Sequence, residues 1–315
     1  MPKSKVNDIA AVLAKEYQAK YGTDVMHSIV KCLLHDCIFH ALHSQNLLGA
    51  IVFRGGTALQ RLYNLPRFSE DLDFVCQPLT KDFFFEFDEK FTSSIIKTLN
   101  EFNIRNDQIY IKSPKFLDCQ KDILNVKKWE LRVNLSENNR KRDMVRIEMV
   151  QIPSYDKTQM ILHPYAPKYM QYPHIMLHVE SEKEIMADKI VALCCRPYLK
   201  YRDVFDLCFL KDRGVRYDAA MVKKKLQDYQ VNMEHVLSKI KTKMHTLMSS
   251  HGLRAYYAEM ENFLQFDLLG KQNEAWHTRA LKNASSELQI WSETFLAELK
   301  DSDTMQANDM PCSPS

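Results

Sequence analysis

Asp71 and Asp73 stand sixteen and eighteen residues beyond the first glycine of a Gly55-Gly56-Thr57 turn. Alternate-residue spacing puts both aspartates on one face of a strand and sends Leu72 and Phe74 to the other, buried face. Two carboxylates on one face repel each other unless a cation lies between them. An oxygen-only site of this kind suits Mg²⁺, which commonly also binds substrate phosphates. The turn upstream has complementary chemistry. A strand ends there, two glycines let the backbone turn tightly, and Thr57 opens a helix, so backbone amides point outward and favour an anion. Glycine at both positions admits phosphate oxygens closely, the Thr57 hydroxyl can donate to one, and Arg54 adds a positive charge beside them. A Gly-Gly pair alone is usually just a turn, and a lone Asp-x-Asp is usually a solvated strand edge. In the order strand, Gly-Gly-Thr, helix, Asp-x-Asp strand they reinforce each other. A phosphate cradle followed by a carboxylate metal site implies nucleotide chemistry.

The segment Ile51 to Cys76 is similar to the first motif of the nucleotidyltransferase superfamily of the DNA polymerase β type. The phrase FRGGTALQRLYNLPRFSEDLDF resembles more closely the AbiEii family, the nucleotidyltransferase toxins of abortive-infection and toxin–antitoxin systems. Arg67 and Ser69, ahead of Asp71-Leu72-Asp73, carry the RxSxDLD form of that family. A second block, Glu182 to Leu207, resembles the family's helical motif built on A-x-K and R-D-x-x-D, matched here by Lys189 and by Arg202, Asp203 and Asp206. The resemblance implies that Lys189 contacts the nucleotide phosphates, that Asp206 is catalytic, and that Arg67, Ser69 and Arg202 help to bind the nucleotide. Each has a plain alternative: Lys189 as a surface lysine, Arg202 with Asp203 as a structural ion pair. The superfamily's chemistry calls for a third carboxylate on a neighbouring strand. Glu148 is its candidate, with Asp143 as the other option and a simple Glu148–Arg146 pair as the plain reading.

The activity so implied is Mg²⁺-dependent transfer of a nucleoside monophosphate from an NTP to an acceptor, releasing pyrophosphate. Asp71, Asp73 and Glu148 would hold the metal, while Gly55-Gly56-Thr57 and Lys189 would position the triphosphate. The family further implies a growth-inhibiting toxin of phage defence, an antitoxin partner, and RNA, at the 3′ end of tRNA, as the acceptor. Other readings are a small-molecule nucleotidyltransferase of the aminoglycoside-modifying kind, a nucleotide-binding regulatory module without turnover, or a kinase-like use of the NTP.

These residues need elements to position them. Apolar spacing predicts helices over the first fifty residues, parted near Gly22, then a short strand Ala50 to Phe53 and a helix Thr57 to Leu65 ended by Pro66. Strands follow at Leu72 to Val75, Gln108 to Ile111, Trp129 to Leu135 and Met144 to Val150, with a long helix Lys81 to Phe102 among them. Within the last strand, Val145, Ile147 and Met149 share one face and Arg146, Glu148 and Val150 the other. Glu137 to Arg142 reads as a charged hairpin loop and Pro153 to Pro173 as a proline-containing loop; from Ser181 the pattern is helical. The fold class is α/β in the α+β sense: a mixed sheet flanked by helices over residues 1–178, an all-helical unit over 179–300, and a disordered tail over 301–315.

Composition agrees with a folded, soluble chain of one large or two modest domains. It has 315 residues, 45% hydrophobic and 26% charged, with a net charge of +3 that is too small to announce a nucleic-acid binder. The basic stretches Lys127-Lys128, Arg140-Lys141-Arg142 and Lys223-Lys224-Lys225 could together line an RNA path, or be solvated faces. Eight cysteines without a CxxC pair point to reduced thiols, and with no signal-peptide or membrane-length apolar run the expected location is the cytoplasm, away from membranes. Cys32, His35, Asp36, Cys37, His40 and His43 lie on one apolar helix, where burial explains them better than zinc does. Phe83, Phe84, Phe85 and Phe87 read as core.

Overall fold

The computed structural model describes residues 5–21, 25–77, 80–115, 125–135, 143–216, 218–264 and 274–308. The chain divides into two compact units. The first comprises residues 1–185 with 228–230 and 261–273, and the second 186–227, 231–260 and 274–315. The division thus falls a few residues beyond the expected 178/179 boundary. Two short later stretches return to the first unit.

In the first unit, helices α1 (Lys5–Tyr21) and α2 (Met26–Ser44) precede strand β1 (Val52–Arg54), helix α3 (Gly55–Leu62) and strand β2 (Leu72–Val75). Helix α4 (Lys81–Glu101) leads to strands β3 (Ile109–Lys112), β4 (Val126–Val133), β5 (Asp143–Val150), β6 (Lys157–Leu162) and β7 (Ile175–Glu180). They form one mixed sheet in the order β3-β4-β5-β2-β1-β7-β6. β2 runs antiparallel to β1 and parallel to β5, while β1 runs parallel to β7.

One face of this sheet is apolar. Trp129, Ile147 and Leu72 lie in register across three strands, and Met149, Phe74 and Phe53 form the next row. Phe39 of α2 closes on that row, its ring 5.0 Å from Phe53. Phe84 and Phe87 of α4 lie against Trp129, whose indole N–H donates to Asp88 at 2.6 Å. The period-two pattern of β5 and the helical periodicity of α2 and α4 therefore meet in one core.

Several elements differ from the sequence reading. The first helix of the turn begins at Gly55, not Thr57, and ends at Leu62, not Leu65. Its end is set before Pro66 because Asn64 takes a left-handed conformation (φ 62°), one that asparagine tolerates. The stretch read as a proline-containing loop holds β6, and β7 follows it; the prolines at 153, 164, 167 and 173 flank these strands. Gly22 and the loop Glu137 to Arg142 lie outside the described residues.

The second unit is helical: the greater part of α5 (Glu182–Cys195), then α6 (Tyr201–Asp212), α7 (Ala219–Asp228), α8 (Met233–Met248), α9 (Ser250–Met260) and α10 (Glu274–Asn308). α10 packs along α6 and α8. It runs on to Asn308, so it takes in part of the stretch expected to be a tail. Lys243 of α8 is buried, and its ammonium donates to the carbonyls of Leu193, Cys194 and Arg196 at the end of α5. Those carbonyls are the unsatisfied acceptors of a helix C-terminus. A long cation from another helix satisfies them.

Candidate active site

Opposite the core face, the sheet carries a different set of side chains. Lys128, Glu148, Asp73 and Arg54 lie in register across β4, β5, β2 and β1. Register partners project to the same side, and neighbouring strands are about 4.8 Å apart. The row therefore reads plus, minus, minus, plus, with two carboxylates adjacent at its centre. Asp71 precedes β2 by one residue. Its carboxylate accepts from the Arg146 backbone N–H at 3.2 Å and lies 3.7 Å from the Arg146 guanidinium. Glu148 pairs with Lys128 at 2.6 Å, so its partner is across the strand and not Arg146. Asp71, Asp73 and Glu148 are all half-exposed.

The glycines serve this row directly. Gly55 has φ +78°, and a Cβ placed there would lie 2.8 Å from the Asp73 carboxylate. Glycine is required twice over, for the left-handed backbone and for the close approach of Asp73. A Cβ at Gly56 would lie 2.5 Å from the Arg67 guanidinium, which is buried at 2% exposure. The room the glycines make is thus filled by Asp73 and Arg67, not held open for phosphate as the sequence suggested. What remains for an anion are the first amides of α3, which have no carbonyl partner within the helix. Gly55→Ala is expected to displace Asp73 and cut activity by about a hundredfold or more, as misplacement of about 1 Å does. Steady-state kinetics on a folded variant check this.

The loop between α3 and β2 is clamped from two helices. Thr57 is 1% exposed; its hydroxyl donates to the Asp71 carbonyl and is hydrogen-bonded to the Ser69 hydroxyl at 2.8 Å. Gln60 accepts from the Ser69 backbone N–H at 2.9 Å. From α2, Lys31 pairs with the Glu70 carboxylate and His35 Nε2 lies 2.9 Å from the Glu70 carbonyl. Thr57 and Ser69, expected at the nucleotide, are hydrogen-bonded within the loop that carries Asp71, and Arg67 donates to the Phe68 carbonyl of that loop at 2.9 Å. The rest of the histidine and cysteine cluster is also engaged. Asp36 pairs with Arg61 at 2.6 Å and accepts from the Tyr165 backbone at 2.7 Å, and His40 stacks on Tyr172.

His35 gives this clamp a pH dependence. Burial lowers its pKa to about 3, against the hydrogen bond it donates to the Glu70 carbonyl, which raises it. The unfolded chain binds that proton near pH 6.5, so the folded state is disfavoured as pH falls below it. Stability should be complete above about pH 6.5 and decline by up to about 1.4 kcal/mol per pH unit below it through this group. Urea titrations from pH 7 to 5 test this, with His35→Asn expected to flatten the slope.

In the second unit, Lys189 is buried and its ammonium lies 2.7 Å from Asp203 and 2.6 Å from Asp206. Asp203 also accepts from Arg196. Burial acts to raise the Asp203 carboxyl, but Lys189, Arg196 and Lys200 together hold it well below the usual carboxylate range. Arg202 is paired with Glu259, which also caps the start of α6 through the Tyr201 and Arg202 amides. Lys225, read as part of a basic stretch, is buried 3.4 Å from Asp188, and Lys127 is buried over the Phe84 ring. Arg140-Lys141-Arg142 lies outside the described residues. The partners of Lys189, Asp71 and Glu148 were the part sequence reasoning missed; all come from other elements.

The donor set of the first unit can be tested against Mg²⁺. Among the described residues no three acid, histidine or cysteine side chains converge as a preformed cluster. Mg²⁺ is usually held by one or two carboxylates together with substrate phosphates and water. Half-exposed Asp71 and Asp73, with the amides of α3 beside them, fit that description. The AbiEii family, described as a nucleotidyl transferase toxin of a type IV toxin–antitoxin system, matches residues 36–284. The chain belongs to the AbiEii family. It is therefore a nucleotidyltransferase of a toxin family, and membership brings with it a nucleotide substrate and an antitoxin partner. This AbiEii protein is similar to MenT4, a nucleotidyltransferase toxin from Mycobacterium tuberculosis H37Rv, over 90% of this chain and 98% of that one, at 18% identity and a TM-score of 0.48. It is also similar to JHP933 from Helicobacter pylori over 89% and 97%, at 16% identity and a TM-score of 0.42. No curated protein matches it. Among the described residues, no helix is long and apolar enough to cross a membrane.

Proposed function

We propose that this AbiEii nucleotidyltransferase moves a nucleoside monophosphate from an NTP to the 3′ end of an RNA, tRNA foremost, with Mg²⁺ held at Asp71 and Asp73. The observation that carries this is the in-register pair Asp73 and Glu148, with Asp71 at the head of the same strand and the start of α3 beside them. The amides of Gly55, Gly56 and Thr57 bind the β- and γ-phosphates. Arg54 offsets the charge of the phosphate under attack. The acceptor 3′ oxygen forms a bond to the α-phosphorus, the bond to pyrophosphate breaks, and the hydroxyl proton passes to a carboxylate of the row. Glu148 completes that row. Mg²⁺, when bound, lowers the acceptor hydroxyl's pKa and neutralises phosphate charge. In this reading the protein works in the cytoplasm as a toxin of phage defence restrained by its antitoxin, and Lys189 is the centre of the second unit's buried charge network.

The acceptor is tested by incubating the protein with α-labelled NTPs, Mg²⁺ and total tRNA, before and after periodate oxidation of the 3′ ends. Label should enter intact tRNA and not oxidised tRNA. Equal labelling of both, or label only on a small molecule, contradicts a 3′-end acceptor.

A further inference from the structure

The acidic face of the sheet continues beyond the charged row. Two residues further along each strand, Val126, Val150, Val75 and Val52 lie in register on the same side. Beyond Val52 and Val75 opens a cavity of about 430 Å³, within the range of small-ligand sites. Val52, Val75 and Ile152 form its floor; Phe83 and Ser154 line its wall. Lys157, which is exposed, is the one charged residue of the lining among the described residues. Of the four phenylalanines read as core, Phe84 and Phe87 are buried, while Phe83 is half-exposed and Phe85 exposed, since a helix turns successive side chains to different sides.

Its position along the strands is informative. The start of α3 lies at the C-terminal end of β1, and the cavity lies at the N-terminal end, where Gly49 and Ala50 line it. Asp73 sits between them, about 7 Å from Val75 at the strand rise of about 3.3 Å per residue. Phosphoryl transfer places the attacking and leaving oxygens roughly in line. With pyrophosphate leaving toward α3, the attacking oxygen arrives from the cavity side.

We infer that this cavity receives the terminal nucleoside of the acceptor RNA, its base against Phe83 and an adjoining phosphate at Lys157. The inference rests on the proposed transfer to RNA. A neutral, partly apolar floor with one aromatic wall suits any base, and a single lysine at the rim suits a backbone phosphate. Among the described residues nothing acidic lines the cavity to repel it.

The test is the kinetics of Phe83→Ala and of the solvent-exposed Lys157→Ala, with RNA and NTP varied separately. Each should raise KM for RNA, about tenfold for Phe83→Ala, with KM for NTP and kcat at saturating RNA unchanged. Phe83→Trp should restore the wild-type KM for RNA, which a merely structural role for Phe83 would not give. An unchanged KM for RNA in both alanine variants, or a rise in KM for NTP instead, overturns the cavity assignment while leaving the proposed function standing. Wild-type protein that labels no RNA overturns both.

Discussion

Asp73→Asn is expected to lower nucleotidyl transfer about a thousandfold while leaving the thermal midpoint at or near that of the wild type. The structure gives both halves of this expectation. Asp73 is half-exposed, lies beside Glu148 and occupies the space a Cβ at Gly55 would need, so an isosteric amide keeps its packing. What it loses is one negative charge. Electrostatic work of several kcal/mol on the reacting phosphate goes with it, and about 4 kcal/mol corresponds to that loss in rate. Removing one of two adjacent carboxylates also relieves their repulsion, which offsets any lost attraction to Arg54. A variant that loses activity and melts early would point to a structural role for Asp73 instead. Turnover and the melting curve must be measured on the same preparation.

Lys189→Met should act in the opposite sense, on stability first. Lys189 is the shared partner of Asp203 and Asp206, and both carboxylates are buried, Asp206 completely. Removing the cation takes from buried Asp206 and Asp203 the charge they share and leaves Arg196 as the ion-pair partner of Asp203, which costs about 3–5 kcal/mol. The urea midpoint should fall accordingly. Adding Asp203→Asn and Asp206→Asn to that variant should recover part of the loss, because a neutral triad has no unpaired charge. The pH dependence follows from Asp203. Its folded pKa lies below the ordinary carboxylate value of about 4, so its contribution is complete above about pH 4 and is lost as pH falls below that. A triple variant no more stable than Lys189→Met alone would show that the lysine's packing matters, not its charge.

The sequence made the strand carrying Asp71 and Asp73 legible, because a period of two sorts Leu72 and Phe74 from the aspartates without reference to anything distant. The faces of β5 were legible for the same reason, and so was the candidacy of Glu148. Its register with Asp73 was not, since strand pairing between residues 73 and 148 leaves no local trace. The glycines were flagged for the right turn and given the wrong occupant. Their spacing says that something approaches closely, and only the fold says that it is Asp73 and Arg67. Thr57, Arg67 and Ser69 illustrate the same limit. A motif places them near the chemistry, yet their hydrogen bonds turn inward to the loop that carries Asp71. His35 was read as one of a buried cluster on an apolar helix, and the partner it shares with Lys31, Glu70, is more than thirty residues away. β6 was hidden by the prolines around it, which mark loops locally but here only bound a strand.

The central claim is that the row of Asp71, Asp73 and Glu148 transfers a nucleotide. The most direct test supplies wild type and Asp73→Asn with one NTP labelled at the α- or the γ-phosphate, with Mg²⁺ and RNA present. Stable label on the acceptor from the α-position alone, lost in Asp73→Asn, is the expected result. Label from the γ-position, or equal transfer by the two proteins, would contradict it.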